Sequence, residues 1–446
     1  MPLRPRLHSW AAGLPHRGVA PDTAAYFYHS NTFEVPDMPG RIRGPWPSVG
    51  LDIDALRSSA WQPYPFNQFI MKIHSRCNLA CDYCYMYEAI DQSWRDQPIV
   101  MTEQIFSDAC HGIADHIGSF EVPAVSVVFH GGEPLLAGHS RFEFFARHAR
   151  ECLGPLTELR LGVQTNGILI DEKFLQICDR WDVTIGVSID GGREGHDRHR
   201  KSRRGGGSYD EVARGLTSLR KYRNKKLFGG LLCTIDLVNE PLRTYEELLA
   251  FGPPAVDFLL PHGNWQSPPP GKIEIQDTAP YAEWLIPIFD HWYDAPKLET
   301  RIRLFDDIIR LLIDGQGRGE LVGLAPIQVA VIETDGTLEQ TDALKSAYSG
   351  ATRIVDIGTA NTGMGDRLSR ALWDPGVVAR QIGTAALSDT CLSCSLLNIC
   401  GGGNYVHRYR PDTGFRNPSV YCGDLAGLIR HISVRLADDL EKVTGK

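Results

Sequence analysis

Between residues 66 and 262 short apolar runs alternate with amphipathic stretches. The runs FNQFIMKI (66–73), AVSVVFH (124–130), ELRLGVQT (158–165), VTIGVSI (183–189), GGLLCTI (229–235) and AVDFLLP (255–261) predict six strands. Between them, TEQIFSDACHGIADHI, RFEFFARHARECL, DEKFLQICDRW, SYDEVARGLTSLRKY and TYEELLAFG carry the spacing of helices that bury one face. Strands alternating with helices imply right-handed βαβ units and a parallel sheet. The strands are apolar on both faces, as expected where helices cover the outside.

Outside this region the pattern changes. Residues 1–65 are rich in Pro, Gly and aromatics and predict an irregular arm wrapping the next domain. QSPPPGK (266–272) punctuates the chain and opens a helical bridge over 266–325, with helices in PYAEWLIPIFDHWYD and TRIRLFDDIIRLLIDG. IQVAVIETDGTLEQTDALK (327–345) predicts a hairpin turning at Asp335-Gly336. It begins a loop-rich unit over 326–424, and an amphipathic C-terminal helix is expected over 425–446.

Composition narrows the functional classes. The 446 residues suffice for one large domain or two to three ordinary ones, and 43% are apolar. A net charge of −8 gives no reason to expect nucleic acid. No apolar run approaches the roughly eighteen residues of a membrane span, and the N-terminus lacks a secretory apolar core, so a cytoplasmic protein is expected. Eleven cysteines are present: three at 77–84, four at 391–422, and Cys110, Cys152, Cys178 and Cys233 scattered. The scattered four read as small core residues. Clustered cysteines in a reducing compartment read as metal ligands rather than disulfides.

CNLACDYC places Cys77, Cys81 and Cys84 directly after the first strand. At this cysteine frequency, about 0.007 such triplets are expected by chance in the chain. Iron–sulfur cubanes normally take four thiolates; three leave one iron open to an outside molecule. The competing reading is a structural zinc closed by His74. The loop lies at the C-terminal edge of the strands, where α/β barrels carry their chemistry.

The spacing Cys-x3-Cys-x2-Cys resembles the hallmark of radical S-adenosylmethionine (SAM) enzymes. The resemblance implies a partial (β/α)6 barrel. It also implies a [4Fe–4S] cluster on Cys77, Cys81 and Cys84, whose open iron chelates SAM, and a 5′-deoxyadenosyl radical. FHGGEPLLAG (129–138) resembles the family's glycine-rich motif for the amino end of SAM, implicating Gly131, Gly132, Glu133 and Pro134. By the same resemblance QTNG (164–167) and SIDGG (188–192) contribute Gln164, Asn166, Ser188 and Asp190, and Tyr83 joins them from the cysteine loop. HDRHR (196–200) implies that Arg200 pairs with the SAM carboxylate, with Arg198 as the alternative. Polar strand ends of this kind also serve as turns and helix caps. The basic run RHRKSRRGGG (198–207) reads as a solvated loop or as a dock for an acidic segment of a peptide.

CLSCSLLNIC (391–400) with Cys422 supplies four thiolates, Cys391, Cys394, Cys400 and Cys422. Four close a site, suiting a second [4Fe–4S] cluster or a zinc. The region resembles the SPASM extension of radical SAM peptide-modifying enzymes, so the fold class is α/β with a C-terminal SPASM-like Fe–S extension. It departs from that pattern at Asn404 and Thr341, where the family has cysteines, which implies two clusters rather than three. The resemblance makes Asp342 the acid/base, against the plain reading of a charged hairpin residue.

The stretches PFNQFIMKIHSRCNLACDYCYMYEAIDQSW, FHGGEPLLAG, VDFLLPHGNW, VIETDGTLEQTDALK and ICGGGNYVHRYRPDTGFRNPSVYCGDL resemble the FxsB-type group of three-residue cyclophane-forming maturases. That implies a ribosomally made precursor peptide as substrate. An aromatic ring would be joined to the Cβ of a residue two positions on. A flavodoxin- or ferredoxin-type protein would supply electrons. Alternatives are a thioether-forming or sulfatase-activating maturase, and a non-enzymatic Fe–S or zinc binding protein.

Overall fold

The computed structural model describes residues 45–444 apart from 273–277, 314, 316, 318 and 356–361. The first 44 residues of the expected arm lie outside the described residues. Six parallel strands form the centre: β1 (Gln68–His74), β3 (Ala124–Gly131), β4 (Glu158–Thr165), β5 (Val183–Ser188), β7 (Phe228–Thr234) and β8 (Ala255–Leu259). Each coincides with a predicted run to within two residues. Two short strands, β2 (Leu79–Cys81) and β6 (Arg200–Ser202), pair with each other outside the main sheet.

The main sheet does not stop at the expected domain boundaries. At one edge β9 (Arg301–Ile302) pairs with β8, although residues 266–325 read as helical. At the other, β10 (Val329–Ile332) pairs in parallel with β1 and carries β11 (Leu338–Glu339) as its hairpin partner. The hairpin turns with Gly336 at φ 83°, as the Asp-Gly signal requires. The nine-stranded sheet thus runs in the order β11-β10-β1-β3-β4-β5-β7-β8-β9. The apolar run of β10 reads equally well as part of a separate unit; only pairing with the exposed edge of β1 assigns it to this sheet.

The helices Glu103–Phe120, His139–Leu153, Glu172–Trp181, Tyr209–Lys221 and Pro241–Leu249 follow the strands as predicted. Thr102 and Asp171 cap the first and third of these by accepting backbone N–H bonds from Ile105 and Phe174. The helix faces and the sheet share one continuous core, which includes Cys110, Cys178 and Cys233 with Cys152 packed at its edge. Three of the four scattered cysteines are thus core residues, as expected, and Cys152 packs against the core half-buried. A smaller core joins Trp46, Leu56 and Trp61 to Val378, Tyr405 and Phe415. Residues 45–65 therefore cover the C-terminal region, not the barrel. The helix Cys422–Thr444 closes the described chain. Among the described residues, no helix is long and apolar enough to cross a membrane.

Candidate active site

The loop after β1 delivers Cys77, Cys81 and Cys84 to the C-terminal end of the sheet. Its shape is fixed from two sides. Gly132 N donates to the His74 carbonyl at 2.9 Å and Glu133 N to the Arg76 carbonyl at 3.0 Å. A Cβ on Gly131, at φ 151°, would stand 2.1 Å from the His74 carbonyl oxygen, so only glycine allows this approach. On the other side β6 pairs with β2, setting Arg200 opposite Cys81. Arg203 Nε donates to the Cys77 carbonyl at 2.8 Å.

Cys77, Cys81, Cys84, Tyr83, Gly131, Gly132, Gln164, Asn166, Ser188 and Arg200 line one cavity of about 180 Å³. Burial pushes the Cys77 and Cys81 thiols up to about 11 and about 12, and raises Cys84. Leu79 N donates to Cys77 Sγ at 3.4 Å. Three half-buried thiols lining one cavity and shifted in this way need a cationic centre to become thiolates.

Arg200 is fully enclosed. Its Nη1 donates to the Tyr83 hydroxyl at 2.7 Å, and Tyr83 in turn donates to Asp190. Its Nε has no hydrogen-bond partner. Arg200 also lines the cavity, and a guanidinium there suits an incoming carboxylate. Arg198, the alternative, is spent on Asp236 and Asn239.

Three expected cofactor contacts do not line the cavity. The Glu133 carboxylate is buried and accepts from Leu135 N, Thr165 Oγ1 and Asn166 N at 2.8–3.0 Å. It ties the ends of β3 and β4 together. Pro134 opens the turn Pro134–Ala137 and is buried. Asp190 accepts from Tyr83 and from Thr234 N, holding the tyrosine that holds Arg200. All three act on the cavity through their neighbours.

His74 does not close the cysteine set: its Nδ1 is engaged with the Arg76 backbone, and it does not line the cavity. Spacing also speaks against zinc. Tetrahedral Zn–S bonds near 2.3 Å bring thiolates to about 3.8 Å of one another. Among the described residues, the only trio of His, Cys, Asp or Glu ligand atoms within 4.8 Å of one another is Glu333, Glu339 and Asp342. Both cysteine sets are wider than that and suit a larger inorganic core. The carboxylate trio is itself filled: Lys345 Nζ lies 3.1 Å from Glu333, 3.1 Å from Glu339 and 4.0 Å from Asp342.

At the C-terminal site Cys391 is buried, Cys400 half-buried, and Cys394 and Cys422 exposed. Burial raises Cys400 to about 11, and its neighbours Cys422 and Cys391 add to the shift. Gly401, Gly402 and Gly403 all adopt positive φ, turning the chain sharply behind Cys400. Arg408, buried beneath, donates to all three of their carbonyls at 2.5–3.0 Å. The structure thus sets Cys400 against a clamped turn and near Cys391 and Cys422, with Cys394 beside Cys422.

A second cavity of about 910 Å³ adjoins the first, sharing Tyr85, His130 and His262 with it. Asp342 lines it. Burial alone would raise this carboxyl, but Lys72, with Nζ at 2.7 Å, and Lys345 hold it below the usual carboxylate range. Its Oδ1 has no hydrogen-bond partner. An ionised carboxylate on a residue that lines a cavity can accept a proton. The hairpin that lacks a cysteine at Thr341 carries this ion network instead. Lys72, Lys345, His130, His262 and His407 escaped sequence reading. Only Lys72 left a signal there: a lone cation inside the apolar run FIMKIH.

Residues 71–251 match the model of the radical SAM superfamily. The chain is 26% identical over 290 residues to the cysteine-type anaerobic sulfatase-maturating enzyme of Clostridium perfringens, covering 62% of this chain and 74% of that protein. It is 29% identical over 172 residues to the serine-type enzyme of Bacteroides thetaiotaomicron, covering 37% and 40%. Native anSMEcpe with bound AdoMet superposes with a TM-score of 0.68 at 21% identity, covering 84% of this chain and 99% of that one. Streptococcus suis SuiB bound to precursor peptide SuiA superposes at 0.55 with 16% identity, covering 83% and 78%. The three-cysteine cavity thus lies in a radical SAM domain over residues 71–251, and the chain is an enzyme of radical chemistry whose cofactors are S-adenosylmethionine and iron–sulfur clusters.

Proposed function

We propose that the enzyme modifies a peptide segment held in the larger cavity, and that the modification is a cyclophane crosslink in a ribosomally made precursor. Bound at the three-cysteine site, SAM and its cluster would supply a 5′-deoxyadenosyl radical able to remove a Cβ hydrogen from the peptide. Cys77, Cys81 and Cys84 hold that cluster, Arg200 faces the SAM carboxylate, and Gly131 and Gly132 let its amino end approach backbone. Cys391, Cys394, Cys400 and Cys422 hold a second cluster, making two in all. A flavodoxin- or ferredoxin-type carrier delivers electrons from outside.

The observation that carries this reading is that Asp342, held ionised by Lys72, lines a chamber that adjoins the cofactor cavity. Closing a cyclophane leaves an aromatic adduct that must lose one proton and one electron, and Asp342 is placed to take the proton. A second reading, oxidation of a cysteine or serine in a sulfatase segment, is favoured by the similarity to sulfatase-maturating enzymes. Co-expression with a candidate precursor peptide, followed by mass spectrometry, separates the two. A crosslink removes two hydrogens and spares every cysteine. Sulfatase activation turns one cysteine or serine into an aldehyde, and that product would replace the cyclophane reading.

A further inference from the structure

Four aromatic side chains stand in a row between the two cysteine sites. Tyr85, the residue after Cys84, meets the His262 ring edge-on at 4.8 Å between centroids. His262 lies 5.7 Å from His407, and His407 lies 4.8 Å from Tyr421. Tyr421 immediately precedes Cys422. Every spacing is that of rings in van der Waals contact. A parallel link reinforces the row, since the Tyr421 hydroxyl donates to the Pro261 carbonyl at 2.6 Å, next to His262.

The two histidines do no visible structural work through their nitrogens. His407 is buried with neither ring nitrogen hydrogen-bonded, and His262 Nδ1 also has no partner. Leaving such groups unpaired costs about 1–3 kcal/mol each, so core packing alone gives no reason to put imidazoles here. Tyr85, His262 and His407 all line the larger cavity, so a peptide there lies against the row.

We infer that Tyr85, His262, His407 and Tyr421 form the electron conduit between the substrate chamber and the four-cysteine site. This rests on the two-cluster reading above. In the closing step, the adduct's C–H bond breaks, its proton goes to Asp342 and its electron enters the row. The oxidant is the [4Fe–4S] cluster of Cys391, Cys394, Cys400 and Cys422, reduced by one electron. An external one-electron carrier of flavodoxin or ferredoxin type reoxidises it.

The test needs no substrate. The two-cluster enzyme is photoreduced with a deazaflavin in the presence of SAM, frozen at successive times, and read by EPR. Redistribution of the signal between the two clusters, in a phase independent of protein concentration, reports internal electron exchange. His407→Phe keeps the ring and removes the nitrogens; His407→Leu removes both. Loss of ring contact in His407→Leu should slow that phase about tenfold or more, while His407→Phe stays within about threefold of wild type. His262→Leu repeats the test should His407→Leu lose its second cluster. Unchanged exchange in a leucine variant that retains both clusters overturns the conduit. Equal slowing by Phe and Leu also overturns it and assigns the imidazole nitrogens to polar recognition. Mössbauer counting of clusters in the wild type separates failure of the conduit from failure of the two-cluster reading.

Discussion

The two cysteine sites use the same ligand atom in opposite settings. The first is sunk between β1, β3 and the β2–β6 pair, and its three cysteines line a cavity together with Arg200, whose buried Nε has no partner. The second has two of its four cysteines exposed, and its polar groups are consumed locally by the Arg408 clamp. What separates them is the polar capacity left over around the sulfurs. An incomplete ligand set beside unsatisfied donors is built to receive a molecule; a complete set against a clamped turn is built to hold a charge in place.

Removing a ligand from the open site gives the largest effect. Cys81→Ala is expected to abolish deoxyadenosine formation while the four-cysteine site keeps its iron, as Mössbauer spectroscopy would show. Surviving cleavage would mean that the two sites have been assigned to the wrong roles. Asp342→Asn acts later. SAM cleavage should persist, while crosslinked product falls about 100-fold or more, the usual weight of a positioned general base. Product at the wild-type rate would remove Asp342 from proton transfer.

The cavity wall comes next. Arg200→Gln loses a charge-assisted bond of about 1.5–3 kcal/mol, equivalent to roughly 10- to 100-fold weaker SAM binding. Arg198→Gln, already committed to Asp236, should change SAM affinity little; calorimetry on the reconstituted enzyme that found the reverse would exchange the two arginines. At the closed site the expected effect is smaller. Gly402 sits at φ 80°, and an added Cβ would reach 3.1 Å from Arg408 Cζ. Gly402→Ala should cost about 1–2 kcal/mol in stability and loosen the second cluster before the first, seen as selective iron loss to a chelator.

Much of this contrast is legible in the chain. The strand–helix alternation, the Asp335-Gly336 turn and both cysteine sets follow from residue order, because local periodicity and short spacings survive into the fold. The wall residues do not. His130, His262 and His407 come from β3, the segment after β8 and the C-terminal region, so only tertiary packing makes them neighbours. Glu133 and Asp190 show the converse. Their motifs place them beside the cofactor cavity, but whether a carboxylate faces it or braces it depends on which backbone N–H groups arrive from neighbouring strands. The continuation of the sheet into β9 and β10 was illegible for the same reason, since a two- to four-residue strand carries no period of its own.

The histidine wall between the sites yields the finest prediction. Burial drives His130 and His262 down to about 4, against about 6.5 for an unfolded histidine. The unfolded chain therefore binds more protons through this interval, and stability must rise with pH across it. Between about pH 7.5 and pH 6, each ring should cost the fold about 0.8 kcal/mol as the unfolded histidines begin to charge. The loss continues as pH falls towards the folded value. Anaerobic denaturant unfolding at the two pH values should show this slope in wild type. His262→Phe should flatten it by its own share, because phenylalanine fills the same place between Tyr85 and His407 without a titrating nitrogen. An undiminished slope in that variant would mean that the folded His262 ring takes up protons as the unfolded one does, so that burial does not hold it neutral; a steeper slope would mean that it is protonated in the folded protein and that the wall carries positive charge.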